Sequence, residues 1–372
     1  MNIKEWSAEI LSKIDEKMEV QCGRLEGKIP YIPVNGRYVD KGETELSWWT
    51  NGFWGGILWQ LYQATGKEIY RQHAEALEDR LDEAMDNYEH LHHDVGFQWL
   101  HTAVANYRLT GNDRSRVRGL HAANLLAGRY NPRGKFINAW NGERSGWMIV
   151  DCLMNLPILH WANQVAGLPH LTYIANSHAD ATLEHLIRPD GSARHIGVMD
   201  VANGELVESL TGQGFGPESA WSRGNAWAIY GFALSYKHTG DIKYLDAAKK
   251  VAHYFMARIS QTDYIPLVDF RAPKEPVRYD TTAGMCAACG ILEIAKHVPE
   301  YEQDFYFDFA VKMLQSAEEK YANWNIDEDS IMDYGTVGYH YEEREIHVPI
   351  IYGDYFFIEA ILRLQEKDFL IW

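Results

Sequence analysis

The sequence predicts an all-α fold, a single (α/α)6 barrel of six helical hairpins over residues 1–372, and three observations predict it. A phrase recurs six times: a Gly- and aromatic-rich start, an apolar helix, a short turn, then a more polar helix. The first helix of each phrase is apolar nearly all round and the second is amphipathic, so the first set must be enclosed by the second. The starts at Trp49, Asp94, Gly146, Arg223, Asp280 and Gly353 lie 45, 52, 77, 57 and 73 residues apart. That spacing is too irregular for a stacked array of the TPR kind and suits a closed barrel with long functional loops.

Along the chain, "MNIKEWSAEILSKIDEKMEV" reads as an amphipathic helix. The inner helices then begin at "WTNGFWGGILWQLYQ", "DVGFQWLHTAVANYRL", "GWMIVDCLMNLPILHWA", "RGNAWAIYGFALSYK", "DTTAGMCAACGILEIA" and "GDYFFIEAILRLQ". Four of the first five end at a Gly-containing turn, "ATGKEIY", "LTGNDRS", "VAGLPHL" and "HTGDIKY", where Gly takes the left-handed conformation that stops a helix. The fifth stops at "HVPEYEQ", with Pro as the breaker. Outer helices follow, such as "YLDAAKKVAHYFMARI", in which Leu245, Ala248, Val251, Ala252 and Phe255 keep a 3.6 period. The longest segments between hairpins, around 188–223 and 321–353, are rich in Gly, His, Asp and aromatics. They place a ligand site on the face they share with the inner-helix starts.

The chain is 46% hydrophobic, enough for a large core, and carries 52 acidic against 35 basic residues for a net charge of −17. This excess argues against nucleic acid or an anionic membrane surface as partner. No apolar run approaches the ~18 residues of a membrane span and no secretion signal is visible, which points to the cytoplasm. The four cysteines are too few and too scattered for a disulfide scaffold.

Within "SGWMIVDCLMNLPIL" a single acid, Asp151, sits among apolar residues. An unpartnered buried carboxylate costs several kcal/mol, so it is either paired, for instance with an Arg, or holds a proton for chemistry. As part of a helix it forms a Trp147-Asp151-Asn155 stripe facing the cavity. Asp94 in "HHDVGFQW" is a second carboxylate at a neighbouring helix start, where a helix N-cap explains an Asp equally well. "TGQGFGPESAWSRGNAW" brings Gln213, Trp221 and Arg223 to the fourth start. There Arg223 either forks onto a ligand carboxylate or ties down the loop, and Gln213 suits hydroxyls. His195 lies in a preceding loop. Trp48, Trp49, Trp54, Trp140 and Tyr339 offer flat apolar faces of the kind a sugar ring needs, against the ordinary use of Trp in cores.

Neither a metal nor a cofactor is called for. "HHD" and "CAAC" have ligand types, but the second lacks a partner pair at finger spacing and sits in an apolar helix. "GQGFGPES" follows no strand and does not make a phosphate loop.

Together "WWTNGFW", "HHDVGFQW", "FINAW", "GWMIVDCLMNLP", "WSRGNAWAIYGFAL" and "YGDYFFIEAILRL" resemble the unsaturated glucuronyl hydrolases of glycoside hydrolase family 88, over nearly the whole chain. The resemblance implies the same barrel and removal of the terminal unsaturated uronic acid from oligosaccharides made by polysaccharide lyases. It implies Asp151 as general acid and base and Asp94 as the carboxylate holding the sugar's hydroxyls. His195, Gln213, Trp221 and Arg223 match the sugar-contacting positions, with Trp49, Trp140 and Tyr339 lining the cavity.

The implied chemistry is hydration of a C4=C5 enol ether, not displacement at the anomeric carbon, so carboxylate spacing does not predict stereochemistry here. Unsaturated rhamnogalacturonyl hydrolases, with a similar "WSRGNAW" segment, are the alternative within that chemistry. A barrel epimerase would need paired histidines facing the cavity, and a non-catalytic scaffold leaves Asp151 unexplained. Family members acting on sulfated substrates carry Ser and Lys before the sixth inner helix. Here that region, "VGYHYEEREIHVP", sets Glu342, Glu343 and Glu345 around Arg344, so unsulfated substrates are expected to be preferred.

Overall fold

In the computed structural model, which describes residues 2–372, Gly66, Gly111, Gly167 and Gly240 all take the left-handed conformation at helix C-caps. Each joins an inner helix to an outer one. The inner elements are Phe53–Thr65, Val95–Trp99 continued through a π turn at Leu100–Val104 into Ala105–Thr110, Pro157–Ala166, Ser222–Thr239, Thr281–His297 and Ile351–Leu364. Successive inner elements pack side by side and the sixth packs against the first, which closes the ring. Their outer partners are Glu68–Leu81, Asp113–Ala127, Pro169–His185, Ile242–Ile259 and Glu300–Tyr321.

The sixth hairpin differs from the expected form. The outer partner of Ile351–Leu364, which is followed by a tail, is the N-terminal helix Ile3–Arg24, packed against it and against Glu68–Leu81. The tail turns inward and plugs the barrel floor. The Trp372 ring stacks on Phe356 at 6.1 Å, its Nε1–H donates to Glu359 Oε2 at 3.0 Å, and Arg363 bridges Glu359 and Glu293 beside it.

The third hairpin departs further. The chain is extended at Trp147–Ile149, pairs antiparallel with Ile196–Met199, and that strand pairs with Leu206–Leu210 in a three-stranded sheet at the mouth. A 3₁₀ turn at Val150–Asn155 follows, and the α-helix starts only at Pro157. Pro lacks the N–H that a helix interior uses and is tolerated in its first turn, so helix begins there. The expected Trp147-Asp151-Asn155 helical stripe therefore does not exist. Trp147 is on the strand, its ring edge-on to Trp140 at 5.8 Å, and Asp151 stands at the second position of the 3₁₀ turn.

Candidate active site

The inner-helix starts and the loops above them enclose a cavity of about 390 Å³ lined by Trp48, Trp49, His92, His93, Asp94, Trp140, Asp151 and Gln213 among others. This lies within the usual range of small-ligand sites. A larger groove of about 670 Å³ runs outside the barrel between Ile242–Ile259 and Glu300–Tyr321. Its acid, Glu302, is ion-paired to Lys249 at 2.6 Å. The chemistry is in the mouth.

Asp94 precedes the helix Val95–Trp99 but makes no capping bond. Its carboxylate turns sideways. Oδ1 lies 3.2 Å from His93 Nε2 and accepts from Asn155 Nδ2 at 3.3 Å, while Oδ2 lies 3.2 Å from His92 Nδ1. Burial pushes its pKa up, yet the two rings and the amide outweigh burial and hold it below the usual carboxylate range. Asn155 reaches this position because Gly96 has no side chain. A Cβ there would stand 2.6 Å from Asn155 atoms, and Asn155 Oδ1 also accepts from Phe97 N–H at 2.7 Å. Although the ligand atoms of His92, His93 and Asp94 lie within 4.8 Å of one another, the ring of His93 is held from its other side by the Ala139 carbonyl, 2.8 Å from Nδ1. The cluster is built as a hydrogen-bonded one.

Asp151 is buried, with its Oδ1 lacking any hydrogen-bond partner. Burial first, and the Asp94 charge second, push its pKa well above the ordinary value, with Arg223 opposing. His195 stands behind it, Nε2 at 3.5 Å from Asp151 Oδ1. Gln213 N–H donates to His195 Nδ1 at 2.9 Å, an approach open only because Gly212 lacks a Cβ, which would fall 2.0 Å from that nitrogen. Burial, reinforced by Arg223, holds His195 down to about 3. The ring is neutral, and its one hydrogen is on Nε2, facing Asp151.

Of the residues singled out from the sequence, Asp94, Asp151, Gln213, Trp49 and Trp140 line the cavity together. Gln213 donates through Nε2 to the Val337 carbonyl at 2.6 Å, leaving its oxygen available as an acceptor. The other candidates stand behind this lining. Arg223 is fully buried, with Nη1 donating to Asp280 Oδ2 at 2.6 Å and to the Thr336 carbonyl at 2.7 Å and Nη2 to the Val337 carbonyl at 2.6 Å, while its Nε has no partner. Trp221 is buried between the Arg223 guanidinium, at 4.6 Å, and the His195 ring, at 4.2 Å. His195 backs Asp151 and does not line the cavity. Tyr339 is buried edge-on against Phe215 at 5.0 Å, while Tyr341 and Tyr31 supply the tyrosine faces of the wall. Trp54 belongs to the core.

The wall also holds Glu345, from the "VGYHYEEREIHVP" region, and Lys41 and Arg144, which no motif or periodicity marked, since both come from one-turn segments. His92 and His93 were visible in "HHD" only as ligand types.

A helical barrel with two buried carboxylates and aromatic faces at its mouth is the site of a carbohydrate-active enzyme. Residues 33–257 match the model of Glycosyl Hydrolase Family 88, and the chain belongs to that family. It is 36% identical over 342 residues to the unsaturated glucuronyl hydrolase of Bacillus sp. (strain GL1), covering 89% of each chain. It is 34% identical to the unsaturated chondroitin disaccharide hydrolase of Streptococcus pneumoniae, covering 99% of this chain and 94% of that one. The crystal structure of unsaturated glucuronyl hydrolase from Streptococcus agalactiae superposes with a TM-score of 0.92 at 28% identity, over 100% of this chain and 94% of the other.

Proposed function

We propose that the protein removes the terminal 4,5-unsaturated uronic acid from di- and oligosaccharides released by polysaccharide lyases, by hydrating the C4=C5 enol ether. The observation that carries this is the Asp151 carboxyl: on the cavity wall, buried, with an unpartnered oxygen, and with its pKa raised well above the ordinary value by burial, which favours the protonated acid.

The protonated carboxyl delivers its proton to C4, and the positive charge that develops at C5 is shared with the ring oxygen. The resulting carboxylate takes a proton from a water attacking C5, which restores the acid. Water has then been added across the double bond. The C5 hemiketal opens, breaks the ring C5–O bond and releases the remainder of the chain at C1. The His195 Nε2–H faces the Asp151 carboxylate formed at mid-reaction. Asp94, kept ionised by His92, His93 and Asn155, suits the acceptance of hydrogen bonds from the ring hydroxyls, and Gln213 adds an acceptor. Trp49 and Trp140 offer faces for the ring. Arg223, one ring behind the cavity, contributes positive potential to a uronate and ties the loop of Thr336 and Val337 to the fourth inner helix.

His92 and His93 do line the cavity, as an epimerase would ask, but membership of family 88 decides for the hydrolase. Arg344 is ion-paired to Glu342 at 2.8 Å and lies off the cavity wall, whereas Glu345 lines it. This supports a preference for unsulfated substrates.

Residues 1–372 form one catalytic unit in this reading, since one continuous apolar cluster runs from the N-terminal helix to Trp372. No described helix is long and apolar enough to cross a membrane, and all four cysteines are buried and unpaired. The unpaired thiols suit a reducing compartment such as the cytoplasm, and the bacterial relatives support a bacterial enzyme. The test is a panel of unsaturated disaccharides followed by loss of their ultraviolet absorbance, which hydration abolishes. No loss on any member overturns the reading.

A further inference from the structure

The charges on the cavity wall are unevenly placed. Arg144, in the turn Gly142–Arg144, has its guanidinium carbon 5.3 Å from the Trp140 ring centroid and 5.4 Å from that of Trp147. Among the described residues no carboxylate forms an ion pair with it. The other cations near the rim are engaged. Lys41 Nζ bonds Glu45 Oε2 at 3.0 Å, and Arg344 is paired to Glu342. In a chain of net charge −17, an unpaired guanidinium facing a cavity is an exception to the pattern. Its guanidinium lies over two indoles set 82° apart, and no described hydrogen bond claims its N–H groups, which suits a carboxylate or a sulfate.

Position decides which part of a substrate it meets. Asp94 and Asp151 are buried, so the reacting ring lies deep, whereas Arg144 is exposed at the rim on the third hairpin. Glu345 and Tyr341 line the wall before the sixth inner helix, across the ring from it. An anionic group leaving the cavity on one side meets a guanidinium, and on the other a carboxylate.

We propose that Arg144 is an anion subsite for the sugar chain beyond the scissile bond, receiving a carboxylate of the next uronic acid or a sulfate ester, while Glu345 repels the same groups from the facing wall. This rests on the hydrolase reading above. In a polymer with a uronic acid at every second sugar, as in glycosaminoglycans, an unsulfated lyase tetrasaccharide carries a carboxylate on its third ring. The unsulfated disaccharide carries none beyond the reacting ring.

Arg144→Ala and the control Arg344→Ala are compared with wild type on three substrates: an unsulfated unsaturated disaccharide with a neutral second sugar, its sulfated counterpart, and the unsulfated tetrasaccharide. The loss in kcat/KM of Arg144→Ala on an anion-bearing substrate should exceed its loss on the neutral disaccharide by about five- to twentyfold, the range of a charge-assisted bond at an exposed rim. The gap should shrink as salt is raised, and Arg344→Ala should show none. A gap confined to the tetrasaccharide assigns the carboxylate, and one confined to the sulfated disaccharide assigns the sulfate. Equal losses on all three substrates overturn the proposal. Wild-type turnover of the neutral disaccharide reports on the hydrolase reading by itself. Should turnover be absent, the same ratio taken from dissociation constants on an Asp151→Asn background still decides about Arg144.

Discussion

His93 Nε2 stands 3.2 Å from Asp94 Oδ1 while its Nδ1 stands 2.8 Å from the carbonyl oxygen of Ala139. A carbonyl only accepts, so Nδ1 carries a hydrogen. Burial holds the ring down to about 4, so at neutral pH it is neutral and its bare Nε2 faces Asp94. The ¹⁵N spectrum of the His93 imidazole should therefore show one protonated and one bare nitrogen. Two protonated nitrogens would contradict this. His93→Ala should lower kcat/KM by roughly 10²-fold, the scale of a misplaced catalytic group, and move the pH profile, with His93→Gln retaining more because its amide still donates. Asp94→Asn should impair binding and turnover together.

Asp151→Asn should fold, bind substrate and lose about 10²–10⁴-fold or more in turnover, since the amide keeps the shape without the proton. The pH dependence of stability gives a second readout. The folded pKa is raised above the unfolded ~3.9. Between the two values the folded chain holds a proton that the unfolded chain has released, so stability falls as pH rises through that window. Asp151→Asn removes this term, and its Tm relative to wild type should climb with pH. Near-wild-type turnover, or a Tm difference flat in pH, would count against the assignment.

Arg223→Ala should act on folding before affinity. It leaves Asp280 buried with its cationic partner gone and the Thr336 carbonyl without its donor, a loss of about 3–5 kcal/mol for a broken buried pair. Thermal or denaturant unfolding measures it. A variant of wild-type stability with a raised KM would instead return Arg223 to direct contact with the uronate.

For a matched pair of disaccharides whose sulfate falls on the Glu345 side, kcat/KM at one ionic strength should be higher for the unsulfated member. Glu345 is on the wall and Arg344 is bound elsewhere, so a sulfate on that side gains repulsion and no donor. A preference for the sulfated member would place its group at Arg144.

What the sequence determined by itself is the enclosure and the chemistry-bearing acids. Inner helices apolar all round must be surrounded, Gly stops at 66, 111, 167 and 240 make hairpins, and an acid inside "GWMIVDCLMNLPIL" needs a reason. All of these follow from period, turn chemistry and desolvation, which are local. Pro157 was also a legible signal: it excludes helix through the preceding segment, and weighing it would have moved Asp151 off the helix. Tertiary structure alone decided the partners. Arg223 reads identically whether its fork meets a ligand or Asp280, because the two carbonyls it binds come from residues 336 and 337, more than a hundred positions away. The sixth outer helix comes from the other end of the chain, and Tyr341 takes the place expected of Tyr339 through the path of one loop. Long-range partners satisfy a buried charge by geometry, and spacing along the chain does not contain that geometry.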